Sequence, residues 1–175
     1  MKMFVFALAI LMGLVMFANA QTQVVPEPEW PGQPFLLADG KLVALESQKP
    51  KVSNKVKVLG FAGGSTIYVF EGKSSPVQIA SDAAVFVVRL EVNADPAQLV
   101  NIDRLQIDEK SGTRKVVVVK LTGFAGGNQA QIETLSLKFA KQGNSLRFTP
   151  ASPLPAGEYV VSTKSGAMGF LFGVK

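Results

Sequence analysis

The sequence predicts an all-β protein, an antiparallel two-sheet sandwich of about nine to eleven short strands. Three observations carry that reading. Apolar residues alternate with a period of two, most clearly in AVFVVRLEV, where Ala84, Phe86, Val88, Leu90 and Val92 share one face. Arg89, Glu91 and Asn93 fall on the other face with Val85 and Val87, the pattern of a strand with one core side. Turn residues punctuate the chain at short intervals, and a 3.6-residue period is almost absent beyond the N-terminal segment.

That segment, residues 1–20, reads as a signal helix. Lys2 supplies a positive start, Met3–Ala18 is almost wholly apolar, and Ala18-Asn19-Ala20 puts small residues where a signal peptidase reads, so cleavage is expected after Ala20. The apolar run is short of the roughly 20 residues that span a bilayer. An uncleaved anchor, the alternative, would be the only contact with a membrane. The chain beyond the signal is the size of one domain and large enough to bury a core without staples. No cysteine is present, which excludes a disulfide scaffold and a thioether-anchored lipoprotein. The expected location is periplasmic or extracellular. A net charge of +5 with both signs interspersed permits attraction to anionic envelope polymers or lipids without demanding it.

Pro26, Pro28, Pro31 and Pro34 fix φ within residues 21–34, so QTQVVPEPEWPGQP is a polyproline-like strap before a sandwich domain over 35–175. Trp30 either docks and pins this strap or stays exposed as a partner anchor. Asp39-Gly40 between apolar runs marks a hairpin. In KPKVSNKVKV, Lys49, Lys51, Lys55 and Lys57 take odd positions, so an extended path sets them opposite Val52, Val56 and Val58. They are either the solvated face of an edge strand guarded against sheet-to-sheet association, or a docking strip for an anionic polymer. The next strand of this run is expected over Lys55–Phe61.

Gly60-Phe61-Ala62-Gly63-Gly64 recurs as Gly123-Phe124-Ala125-Gly126-Gly127, an identity too short to establish a repeat. Neither copy runs directly into a Gly-Lys-Ser/Thr step, which excludes a phosphate loop there. Further strands are expected at Ser65–Glu71, Val77–Ala80, Ala84–Val92, Ile102–Asp108, Lys115–Leu121, Gln131–Phe139 and Ser145–Thr149. Asp95 is placed to cap a single helical turn at Pro96–Leu99. KVVVVKL is apolar on both faces and belongs well inside a sheet. Glu158–Thr163 and Gly169–Val174 close the fold as a strand pair around Lys164-Ser165-Gly166.

The lead-in to that pair, Leu154-Pro155-Ala156-Gly157-Glu158-Tyr159-Val160-Val161, resembles the L-x-x-G-x-Y-x-V approach to the penultimate strand of immunoglobulin-like modules. Fibronectin type III domains and bacterial periplasmic sandwich domains of the copper-resistance type show similar stretches. The resemblance implies an immunoglobulin-like sandwich in which the Tyr159 hydroxyl bonds back to the corner backbone. It does not extend to metal. The chain has no histidine, and Met168 is the sole methionine outside the signal, so no copper or zinc site is expected.

Without histidine or cysteine, the commonest general base and the thiol nucleophile are missing, and no S-x-x-K spacing or calcium loop replaces them. Asp103, Asp108 and Glu109 come nearest to a carboxylate cluster and read as a strand end and solvated turn. Lysines without interleaved aromatics give no nucleic-acid signature. The expectation is a non-enzymatic envelope or extracellular interaction module that binds protein or polysaccharide and takes no cofactor. Trp30, Lys49, Lys51, Lys55 and Lys57 are the candidate contact residues. A structural subunit of an envelope assembly and a carboxylate-dependent hydrolase are the alternatives.

Overall fold

The computed structural model describes residues 26–56, 64–89, 99–121, 135–163 and 167–175. Among these the chain is all-β: β1 (Pro34–Ala38), β2 (Lys41–Ala44), β3 (Glu46–Gln48), β4 (Lys51–Val56), β5 (Gly64–Glu71), β6 (Gln78–Ile79), β7 (Phe86–Arg89), β8 (Val100–Asp108), β9 (Thr113–Leu121), β10 (Leu137–Gln142), β11 (Ser145–Pro150), β12 (Gly157–Thr163) and β13 (Gly169–Val174). One antiparallel sheet runs β10-β11-β7-β1-β2. The other runs β3-β13-β12-β8-β9-β5-β4, with β6 parallel to β13 beside it. The count exceeds the expected number because β2, β3 and β6 are pieces of 4, 3 and 2 residues. The signal segment, Lys57, most of both GFAGG copies, Leu90–Val92, Pro96–Gln98 of the expected helical turn, Gln131–Thr134 and Lys164–Gly166 lie outside the described residues.

Local chemistry explains the first hairpin. Asp39 and Gly40 both take positive φ, 50° and 73°, and close β1 onto β2 with Ala38 opposite Lys41. That is the turn handedness which matches strand twist, and Asp-Gly tolerates it best. The chain then changes sheets across a single residue. Leu45, 5% exposed, joins the core between β2 and β3.

The inner faces of the two sheets share one apolar cluster. Leu36, Phe86, Val88, Leu146 and Phe148 come from the smaller sheet; Val100, Ile102, Tyr159, Val161, Phe170, Phe172 and Val174 come from the larger. The rings of Phe86 and Phe172 meet across the layer at 5.0 Å, and Tyr159 stacks on Phe172 at 5.4 Å. Full burial of one such ring contributes about 2–3 kcal/mol.

Strand alternation sends the intervening residues to the opposite face of the larger sheet, where Phe70, Leu105, Val116, Val160 and Leu171 form a second cluster. This is why β12 and β13 are apolar on both sides. The second cluster is covered because the sheet curls back on itself. The Phe70 ring of β5 packs against β13 so closely that a Cβ on Gly169 would lie 2.5 Å from a ring carbon. Lys49-Pro50 joins β3 directly to β4, the two outermost strands, and the Gln48 side chain bonds both backbone groups of Glu71.

Two details depart from the sequence pattern. Val52 is 60% exposed, although alternation alone directs it inward, because β4 is an edge strand and the second cluster does not reach it. Val87 is 1% exposed although it faces away from the main core. The strap is tied along this side of β7, and Pro28 within it is buried. Tyr159 donates its hydroxyl to the Pro155 carbonyl at 2.7 Å, fixing the corner that leads into β12.

Candidate functional site

The described part of the strap is held by specific bonds. Asn144 N–H donates to Glu27 Oε1 at 3.1 Å, the Arg89 guanidinium donates to the Glu29 carbonyl at 3.0 Å, and Gly32 N–H donates to the Arg89 carbonyl at 3.1 Å. Pro31 also bridges Arg89. Pro28 is buried between the Glu27 and Glu29 anchor points, whereas Trp30 is 63% exposed. Of the two sequence readings for Trp30, docking is therefore the one that fails. Backbone bonds and Pro28 pin the strap, and Trp30 projects from it.

The lysine strip is only partly visible. Lys49 is exposed; Lys51 is exposed and donates to Glu71 Oε1 at 2.7 Å, so its charge is matched by a neighbour. That bond is the main cause of a raised Lys51 pKa and of a lowered Glu71 pKa. Lys55 lies on β4 with its side chain outside the described atoms, and Lys57 lies outside the described residues. Among the described residues, Trp30 stands on a strap tied to the smaller sheet, whereas Lys49 and Lys51 stand at the β4 edge of the larger.

The carboxylates singled out by sequence separate onto different partners. Asp108 pairs with Lys115 and accepts the Lys110 and Ser111 amides, and the Lys115 bond foremost holds its carboxyl well below the usual range. Glu109 pairs with Lys73 at 2.6 Å. Asp103 is buried on the second-cluster face of β8, 9% exposed. Around Ile67 and Lys115, two shallow grooves mark the outer face of β4, β5 and β9; the larger, about 530 Å³, also takes in Gln106, Asp108 and Val117. Among the described residues no three His, Cys, Asp or Glu side chains are placed to hold a metal ion.

The most elaborate polar cluster was not anticipated from sequence. β9 begins at Thr113, which places Arg114 in the strand and on the same face as Val116 and Val118. Its side chain is fully buried. Nε donates to the Gly72 carbonyl at 3.1 Å; Nη1 donates to Glu46 Oε2 and Glu158 Oε2, both at 3.1 Å; Nη2 donates to Glu46 Oε1 at 3.0 Å and the Glu71 carbonyl at 2.8 Å. All the donors of the guanidinium fork are used. Glu158 accepts further from Ser75 N–H at 2.7 Å and from Gln78 at 3.2 Å. Burial opposes ionisation of Glu46, but the Arg114 and Gln48 hydrogen bonds outweigh it and hold its carboxyl below the ordinary range. Both carboxylates are occupied as acceptors. The cluster ties β9 to β3, β12 and the turn after β5. The signal for it was the parity of Arg114 with Val116 in a strand that is apolar on both faces.

Compared with family models, curated proteins and solved structures, the chain matches none.

Proposed function

We propose that the chain is an immunoglobulin-like sandwich that serves as a non-enzymatic interaction module of the cell envelope or extracellular space, with Trp30 as its principal contact. The observation that carries the binding role is the exposed indole on a strap already held in place. A fixed apolar anchor loses little conformational freedom on binding, and tryptophan is the side chain most often found at the energetic centre of an interface.

The architectural part of the reading rests on strand order. The row β10-β11-β7-β1 follows the D-E-B-A arrangement of an immunoglobulin sheet, and β13-β12-β8-β9 follows G-F-C-C′. The bond from Tyr159, near the start of β12, to the Pro155 carbonyl supports the same reading, since strand F of that scheme carries a tyrosine corner there. On this reading, β2–β6 are an insertion between its first two strands, β1 and β7. Export is supported by the apolar run Met3–Ala18 and the small residues Ala18 and Ala20. A polyanion-binding strip has less support, since Lys51 is already paired with Glu71.

The test compares the processed chain with its Trp30→Ala variant as bait for crosslinked capture from native envelope extract. A partner retained by the parent chain and lost by the variant is the expected result. Equal capture by both sinks the role of Trp30, and repeated blank captures by the parent sink the module reading.

A further inference from the structure

We propose that Asp103 makes the join between the two halves of the larger sheet proton-dependent: the sheet stays closed while this carboxyl is neutral and loosens along β8 when it ionises.

The placement of Asp103 carries the argument. Register sets it opposite Val160 of β12, so it shares a face with Leu105 and the second apolar cluster. It is 9% exposed, and among the described residues its Oδ1 has no hydrogen-bond partner. On its other side, the ladder between β8 and β9 covers only Gln106–Asp108. Beside residue 103, therefore, no ladder pairing to β9 is present among the described residues; one residue earlier, the Ile102 carbonyl accepts from Leu135 N–H at 3.3 Å. Among the described residues, the ribbon β4–β5–β9 is thus laddered to β8 only at the Gln106–Asp108 end of the strand. An ionised carboxylate at that unlatched end can gain solvation by parting the two.

Among the described residues, no charged neighbour is free to satisfy it from the elements on this face. Arg114 of β9, Glu158 of β12 and Glu46 of β3 are committed to one another, β5 offers Tyr68 as its titratable group, and the residues of β13 that share the face are Leu171, Gly169 and Gly173. Burial alone accordingly pushes the Asp103 carboxyl up from 3.8 to about 6. A carboxyl raised in the folded state binds its proton more tightly there than in the unfolded chain, so its contribution is greatest at low pH and is lost as pH rises through about 6. The chain has no histidine and no cysteine, so no side chain with an ordinary pKa competes in this window.

The experiment is equilibrium denaturation of the full chain and of Asp103→Asn at intervals from pH 5 to pH 8. It is paired with a carbon-13 titration of the aspartate carboxyls in the parent chain. The parent unfolding constant should rise about tenfold across that range, the Asn variant should lose this rise, and one carboxyl should titrate near 6. Hydrogen exchange at β8 and the facing part of β9 should quicken with pH beyond the ordinary base-catalysed increase. An Asp103 carbon that titrates in the ordinary aspartate range overturns the proposal, as does an Asn variant with the parent's pH slope. If the variant does not fold, the carbon titration of the parent decides.

Discussion

Replacing Arg114 with methionine keeps an unbranched side chain of similar length in the second core and removes the guanidinium fork. Glu46 and Glu158 then stand as two carboxylates without their cation, Glu158 with 7% of its side chain exposed. The Gly72 carbonyl loses its Arg114 donor, and the Glu71 carbonyl is left with the Gln48 amide alone among the described residues. Removing one partner of a buried ion pair typically costs about 3–5 kcal/mol, because the charge left behind is uncompensated. Against a total stability of about 5–15 kcal/mol for a domain, that is a large share. Urea melts at neutral pH followed by circular dichroism should show the unfolding free energy falling by that amount, through a lower midpoint with little change in slope. Arg114→Lys should fall between the two, since one ammonium cannot reach acceptors spread around a planar fork. Adding Glu46→Gln and Glu158→Gln to the methionine variant should recover part of the loss. A loss below about 1 kcal/mol in Arg114→Met, or no recovery in the triple variant, would refute the idea that charge compensation closes the sheet.

Tyr159→Phe should cost about 1 kcal/mol in the same melts, the usual net value of one hydrogen bond, since among the described residues the hydroxyl bonds the Pro155 carbonyl alone. Gly169→Ala should cost about 1–3 kcal/mol through overpacking against Phe70 and Val160, and Phe70→Leu should relieve part of it. Acid should destabilise through the opposite kind of group: Glu46 and Asp108 have lowered pKa values, so their contributions are present above the ordinary carboxylate range and vanish as pH falls through their folded values. An acid titration of stability should fall below about pH 4, and Glu46→Gln should flatten part of that limb. Trp30 fluorescence should be quenched by acrylamide almost as readily in the folded chain as in urea, and Trp30→Ala should leave the melting midpoint within about 0.5 kcal/mol of the parent.

How much of this was legible depended on whether a feature was local. The Asp39-Gly40 hairpin needs only two residues able to take positive φ, and β13 emerged with the boundaries that its apolar run suggests. Val52 misled because alternation tells which residues share a face and says nothing of whether that face is covered. Trp30 was ambiguous for the same reason: its exposure is decided by Arg89 and Asn144, far away in sequence. The ion cluster was hidden most deeply. Glu46, Arg114 and Glu158 each look like a surface charge, and only the curling of the sheet brings residues 68 and 44 positions apart onto one guanidinium.

The edge pairing of β3 with β13 sets Glu46 against Leu171 and Gln48 against Gly169. The strand nearest the beginning of the larger sheet thus waits for a partner made almost last during synthesis. No growing chain can seat Arg114 against both its carboxylates until Glu158 has emerged, nor cover Phe70 until β13 has. Contacts of such long separation slow the search for the native state, and the intermediate ribbon β5–β9 must meanwhile keep its valines from other chains. The lysines set along β4 and at either end of KVVVVKL sit where a chain in that condition needs charge.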